Sequence, residues 1–280
     1  MGHRFLILLL SALPKHLLSR AAGFLATRPV PVRWRASVYR GYSRFFGAKP
    51  EEASLPLDAY PTINAFFTRA LRPGLRPIAP EAIVSPVDGA VGAYGVVEKD
   101  SLVQAKGRSY SLATLLGDRA LAQRFDGGTY TTLYLSPKDY HRIHVPVDGD
   151  ITRAMYIPGA LWPVNGAAVA HVPDLFAVNE RLVVTLERGS GGVMAIVAVG
   201  ATMVGMTRLV FDDLHTNARR RVVQDRRYAP ALPVHAGDPL GHFEFGSTVV
   251  LVCSRECGTI SPLTLGATVQ LGQRLGAVGP

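Results

Sequence analysis

Gly241-His242-Phe243-Glu244-Phe245-Gly246-Ser247-Thr248-Val249-Val250-Leu251-Val252-Cys253 ends in a run of β-branched and apolar residues. Val249 to Cys253 is therefore read as a strand. Gly128-Thr129-Tyr130-Thr131-Thr132-Leu133-Tyr134-Leu135 has the same character, and so do Leu182 to Leu186 and Val193 to Val199. Pro and Gly punctuate these runs, as they do between short strands. From about residue 81 onward the chain reads as strands and turns, with helical patterns gathered at the front. The expected fold class is α+β, a β-rich core preceded by short amphipathic helices.

With 280 residues, 48% of them hydrophobic, the chain is long enough to bury a sizeable core in one domain with a small appendage. Its 28 glycines and 20 prolines suit many turns rather than a helix bundle. A formal charge of +9 suits an anionic partner, either nucleic acid or an acidic lipid surface. Cys253 and Cys257 are too few for a disulfide framework and have no second cysteine pair to complete a zinc set. They are read as buried or incidental thiols in a reducing setting.

Phe5-Leu6-Ile7-Leu8-Leu9-Leu10 is strongly apolar but far short of the roughly 20 residues that cross a bilayer. Lys15, His16 and Arg20 interrupt the region where a signal-peptide cleavage site would lie, and Leu17 to Leu25 resumes the apolar pattern around them. Two short amphipathic pieces lying in the headgroup plane account for this better than a signal peptide or a core-docked helix. Trp34, Val38, Tyr42 and Phe45 then recur at helical spacing with Arg35, Arg40 and Arg44 between them. The aromatics of that helix are read as core, and its arginines as either a solvated or a lipid-facing flank. Residues 1–50 are thus expected to be amphipathic, membrane-associating helices, and 51–280 the β-rich domain.

Pro86-Val87-Asp88-Gly89 recurs as Pro146-Val147-Asp148-Gly149, each copy followed by a strand-like start. Asp-Gly is common in turns, so the echo is either chance or the mark of two related β-units that pack together. Residues 212–235, with Arg219-Arg220-Arg221 and Arg226-Arg227, read as an exposed loop that is either plainly solvated or attracts phosphate or an anionic membrane.

Tyr140-His141-Arg142-Ile143-His144-Val145-Pro146 places two histidines three apart. The Glu of a His-Glu-x-x-His zinc motif is missing and Pro146 limits any helix, so a catalytic pair at a loop or strand edge is the better reading. Asp88 is a candidate to orient one of them, as the acid of a Ser-His-Asp relay does. Gly-x-Ser-x-Gly is absent around Ser247, which leaves the hydrolase reading unsupported. The Gly246-Ser247 bond itself is either structural or a place where a backbone cuts itself and turns its serine into a cofactor.

Many modest motifs occur in one order along nearly the whole chain: Asn64-Ala65-Phe66-Phe67-Thr68-Arg69, Arg76-Pro77-Ile78, Pro86-Val87-Asp88-Gly89 and Gln104-Ala105-Lys106-Gly107 with Tyr110-Ser111-Leu112. Tyr134-Leu135-Ser136-Pro137-Lys138-Asp139-Tyr140-His141-Arg142-Ile143-His144, Pro158-Gly159-Ala160-Leu161-Trp162-Pro163-Val164-Asn165, Asn179-Glu180-Arg181, Gly200-Ala201-Thr202-Met203-Val204-Gly205 and Gly246-Ser247-Thr248 complete the series. Together they make the chain resemble prokaryotic phosphatidylserine decarboxylase. The family's cleavage motif is usually Leu-Gly-Ser-Thr; Phe245 stands here for the Leu, and since both are apolar, processing is expected to survive.

The resemblance implies an Asp88-His144-Ser247 relay for self-cleavage, with His141 in the decarboxylation itself. His144 would take the Ser247 hydroxyl proton, and the oxygen would attack the Gly246 carbonyl, which no side chain screens. Elimination and hydrolysis would leave a β chain of residues 1–246 and an α chain of 247–280 capped by a pyruvoyl group. That covalent cofactor would form a Schiff base with phosphatidylserine and release CO2 and phosphatidylethanolamine, with His141 protonating the substrate carbon. No lysine sits in a recognisable pyridoxal phosphate site. No metal and no nucleic acid are implied. The expected setting is the cytoplasmic side of the cell membrane, peripherally bound to an anionic surface, as a homodimer. Two alternatives stand beside it: a non-catalytic basic β-rich module that binds anionic lipid or nucleic acid, and the same scaffold decarboxylating a soluble amino acid.

Overall fold

A computed structural model describes residues 15–105, 108–189, 191–202, 206–218, 221–244 and 248–279. Strands are numbered in chain order. The central sheet holds β2 (Gly89–Val96), β5 (Thr129–Tyr134), β7 (Gly149–Ile157), β8 (Arg181–Glu187), β9 (Val193–Val199), β11 (Gln224–Val234), β13 (Thr248–Cys253) and β15 (Thr268–Val269). Its order is β11-β7-β8-β9-β13-β5-β2-β15, antiparallel throughout. β1 (Ala82–Val84), β16 (Arg274–Val278) and β14 (Gly258–Ile260) form one small sheet in that order. β10 (Thr207–Leu209), β12 (Pro239–Phe243) and β6 (Arg142–His144) form another, and β3 (Ser101–Ala105) pairs with β4 (Arg108–Ser111). The described helices are α1 (Lys15–Ala26), α2 (Val32–Phe46), α3 (Ile63–Phe67), α4 (Leu112–Leu116), α5 (Arg119–Gln123), α6 (Gly166–His171) and α7 (Leu175–Val178). The architecture is the β-rich α+β class that the strand and turn signals predict.

β13 shows why its sequence is a continuous apolar run. Val249, Leu251 and Cys253 face a core shared with Ile83, Ile143 and Phe243 of the small sheets. Val250 and Val252 face a second core shared with Leu112, Leu115 and Phe176 of the helices. A strand covered on both faces has no solvent side on which to place polar residues. Each such side chain contributes roughly 1.5–3 kcal/mol by burial. The layers are therefore helices, central sheet and the pair of small sheets.

The order of the central sheet reads alike from its two edges. β15-β2-β5-β13 forms one half and β11-β7-β8-β9 the other, and each half carries one small sheet. The two Pro-Val-Asp-Gly copies are the joints of these halves, since each links a strand of a small sheet to a strand of the central one. They interlock through matched bonds, Val84 N–H to the Pro146 carbonyl and His144 N–H to the Pro86 carbonyl, both 2.9 Å. Asp88 accepts from Leu271 N–H, and Asp148 accepts from Ala236 N–H, both at 2.8 Å. The echo thus marks two related β-units, and in each the Asp caps a turn.

Two expectations are corrected. Residues 212–235 are not a loop throughout, because Gln224–Val234 is β11, the edge strand paired with β7. An edge strand exposes much of its surface, so it lacks the apolar signature that marks the inner strands. In α2 the stripe of Trp34, Val38, Tyr42 and Phe45 turns inward only at Tyr42. Trp34 (55% exposed) and Phe45 (82%) face solvent, and Val38 is also exposed. The inward positions are Tyr39, Tyr42 and Ser43. Tyr39 stacks on Phe66 at 4.8 Å and donates to the Tyr60 carbonyl, while Tyr42 donates to the Pro137 carbonyl at 2.7 Å. Polar hydroxyls with fixed partners decided which face docked. The apolar run Phe5 to Leu10 lies outside the described residues.

Candidate active site

One row of the central sheet runs Thr268, Ala90, Tyr134, Thr248, Val199, Arg181, Ile157. The candidate site residues gather at the end of the sheet just beyond this row. Leaving β5 after Tyr134, the chain makes a closed turn. The Asp139 carboxylate accepts from Ser136 N–H (2.7 Å) and Oγ (2.8 Å), and Asp139 N–H returns to the Ser136 carbonyl at 2.9 Å. That turn delivers Tyr140, His141 and then β6, an edge strand of its small sheet.

His141 is fully buried against Phe67, ring centroids 4.0 Å apart. Its Nδ1 lies 2.8 Å from the Asp139 carbonyl oxygen. A carbonyl only accepts, so Nδ1 carries the proton and Nε2 presents a lone pair. Burial, reinforced by the charge of Arg69 and only partly opposed by the Asp139 bond, holds the ring down to about 3, so it is neutral. Its Nε2 is buried with no hydrogen-bond partner among the described residues.

His144 is oriented in the same way. Nδ1–H donates to the Gly237 carbonyl at 2.8 Å, and Nε2 accepts from the Tyr140 hydroxyl at 3.1 Å. Burial lowers its affinity for a proton, while the Gly237 bond and the charge of Asp88 act in the opposite direction. Gly237 adopts φ +93°, and a Cβ there would stand 2.8 Å from Ile78, so this turn needs glycine.

Asp88 stands in the neighbouring joint, but its hydrogen bonds go elsewhere. Arg76 Nη2 donates to Oδ2 at 2.6 Å and Nε to Oδ1 at 3.0 Å, and Leu271 N–H completes the set. Arg76 Nη2 also reaches Glu52 at 2.7 Å. Burial works against a charge on Glu52, yet the Arg76 bond brings its carboxyl below the usual range. The structure therefore brings Asp88, His141 and His144 to one end of the sheet. It joins His144 to Gly237 and Tyr140, and Asp88 to Arg76.

Phe245, Gly246 and Ser247, including the bond expected to be cut, lie outside the described residues. Their flanks are placed. On one side Phe243 N–H donates to the His141 carbonyl at 2.9 Å. On the other, Thr248 opens β13 between Tyr134 and Val199, its hydroxyl buried without a partner among the described residues. Glu180 is buried at the same sheet end, accepting from the Tyr156 hydroxyl (3.1 Å) and Asn217 N–H (2.9 Å), and burial pushes its carboxyl up to about 6.

Sequence reasoning missed Arg76, Tyr140 and Gly237 as partners of the site. Arg76 and Tyr140 stood inside the ordered motifs, but nothing in their spacing said whom they would meet. Among the described residues no three His, Cys, Asp or Glu side chains cluster as a metal site requires. Cys253 and Cys257 are buried free thiols.

The family model for phosphatidylserine decarboxylase matches residues 63–277. The chain is 48% identical, over 99% of both lengths, to the phosphatidylserine decarboxylase proenzyme of Anaeromyxobacter sp. (strain K). It is 43% identical to that of Myxococcus xanthus (strain DK1622), covering 96% of this chain and 97% of the relative. With that of Brevibacillus brevis the identity is 39% over 98% of each.

Proposed function

The chain belongs to the phosphatidylserine decarboxylase family, and on that premise we propose that it decarboxylates phosphatidylserine with a pyruvoyl group made from its own Ser247. It is a carboxy-lyase, and its relatives' name, proenzyme, fits a chain that must be processed before it acts. The observation that carries the reading is the buried, neutral His141, its Nε2 lone pair without a partner among the described residues, at the sheet end where β13 begins. The buried Thr248 hydroxyl at the start of β13, without a partner among the described residues, is a second polar atom suited to a small carbonyl group.

For self-cleavage, the Ser247 oxygen attacks the Gly246 carbonyl while His144 accepts the hydroxyl proton at Nε2. Tyr140 holds that nitrogen, and its hydroxyl both donates and accepts, so it passes the proton on. Gly237 keeps the ring in the right tautomer, and Asp88 favours the protonated ring through its charge rather than through a shared hydrogen bond.

When present, a pyruvoyl group supplies a keto carbonyl that takes up the electron pair left as CO2 departs. His141 manages the proton. Its Nε2 lone pair accepts a hydrogen bond from the substrate nitrogen, and a proton taken up there from solvent is passed to the substrate carbon after CO2 has left. Its low proton affinity makes the charged ring a strong donor.

Trp34 and Phe45 of α2 and Leu17, Phe24 and Leu25 of α1 are exposed apolar side chains, and the same stretch of chain exposes Arg28, Arg33, Arg40 and Arg44. Such a surface suits the interface of an anionic bilayer. No described helix is long and apolar enough to cross one. We assign residues 1–50 to peripheral membrane docking on this basis. The test is release of labelled CO2 from carboxyl-labelled phosphatidylserine in vesicles. Wild-type protein should release it, and both Ser247→Ala and a hydroxylamine-treated wild type should not; undiminished release from either would overturn the pyruvoyl assignment.

A further inference from the structure

A cavity of about 170 Å³ opens between the C-terminal end of α2 and the Asp88 joint. Gly47, Lys49, Arg69, Lys138, Asp139 and Tyr140 are among its walls. The acidic side chains here are already engaged: Asp88 and Glu52 hold Arg76, and Asp139 closes its own turn. Arg69 is different. It is 3% exposed, no carboxylate lies within ion-pair distance among the described residues, and its Nε has no hydrogen-bond partner. Its contacts are a long bond from Nη1 to the Phe66 carbonyl (3.4 Å) and the Phe66 ring, 4.9 Å away. A buried guanidinium is costly without a counter-charge. Lys138 stands exposed at the rim, and neither the ion pairs nor the hydrogen bonds of the described residues engage it.

We propose that Arg69, assisted by Lys138, receives the phosphodiester of the lipid headgroup. This rests on the decarboxylase reading above. The planar fork of Arg69 matches a phosphate oxygen pair. The substrate's other anion, its carboxylate, is a poor candidate. A buried cation paired to it would stabilise the ground state that must be lost, whereas the phosphodiester keeps its charge throughout the reaction. The cavity's place at the end of α2 puts the headgroup phosphate between the apolar docking surface and the two histidines.

The experiment compares wild type, Arg69→Gln, Arg69→Lys and Lys138→Gln after intact mass has measured self-cleavage in each. Substrates are phosphatidylserine in phosphatidylcholine vesicles, glycerophosphoserine and free serine, with inorganic phosphate as a competing anion. Arg69→Gln should raise KM for both phosphodiesters by roughly tenfold to a hundredfold and lower the ratio of glycerophosphoserine to serine kcat/KM by the same factor, because any change at His141 from the lost Arg69 charge acts on all three substrates alike. Arg69→Lys should recover part of the loss, and Lys138→Gln should show a smaller effect of the same kind. If a free anion is the occupant instead, phosphate will inhibit wild type as strongly on free serine as on glycerophosphoserine, which contradicts the proposal. So does an unchanged ratio of glycerophosphoserine to serine kcat/KM in Arg69→Gln. If Arg69→Gln fails to mature, the Lys138→Gln ratio decides by the same criterion. Wild type that matures but decarboxylates none of the three substrates defeats the underlying reading rather than the pocket.

Discussion

The two histidines of the Tyr140–His144 segment are equivalent in tautomer and unlike in availability. Each donates from Nδ1 to a backbone carbonyl, but Tyr140 covers Nε2 of His144 while Nε2 of His141 has no partner among the described residues. Their substitutions should therefore separate the two chemistries. His141→Gln is expected to self-cleave yet lose about 10²–10⁴-fold in turnover, the usual contribution of a positioned acid–base group. Tyr140→Phe leaves the imidazole lone pair without its donor and should slow self-cleavage, with mature enzyme once formed still turning over substrate. Time courses of cleavage followed by kcat on the matured fraction check both. Full turnover by His141→Gln, or cleavage at wild-type speed by Tyr140→Phe, contradicts the assignment. The identity of these residues was legible in the sequence; their partners were not. His144 finds Gly237 and Asp88 finds Arg76 through turns 93 and 12 residues away in sequence, and local spacing carries no trace of such contacts.

At the level of elements, sequence pattern worked where burial is one- or two-sided throughout and failed where a face is divided. β5, β8, β9 and β13 were readable because the central sheet is covered on both sides, leaving nearly unbroken apolar runs. The Pro-Val-Asp-Gly echo was open between chance and paired β-units, and the fold decides for the second because each copy performs the same turn. β11 escaped notice as an edge strand rich in arginine. In α2, helical spacing located the helix but not its orientation, since Tyr39 and Tyr42 dock by hydroxyl bonds that a hydrophobic pattern does not register. The outward stripe makes a prediction of its own. Trp34→Glu with Phe45→Glu should weaken binding to anionic vesicles in a flotation assay at least tenfold, while self-cleavage is preserved. Undiminished flotation would remove α2 from the docking surface.

For the molecule as a whole, burying neutral histidines ties stability to pH. The folded His141 value of about 3 lies below its ordinary 6.5, so between these limits the unfolded chain binds more protons than the folded one. Stability should be full above about pH 6.5 and fall as pH drops toward 3, by at most roughly 1.4 kcal/mol per pH unit for this group. His144 is shifted in the same direction. Urea unfolding at a series of pH values should show this slope, and His141→Gln should flatten it; an unchanged slope would mean that His141 does not stay neutral in the fold. On the proposed reading, the two halves of the fold and the histidine pair converge on a bond that is cut. Intact mass of the purified, active protein tests this most directly. A fragment of residues 1–246 and a second of residues 247–280 that begins with a pyruvoyl group in place of serine is the predicted result. A single uncut chain that decarboxylates phosphatidylserine would contradict it.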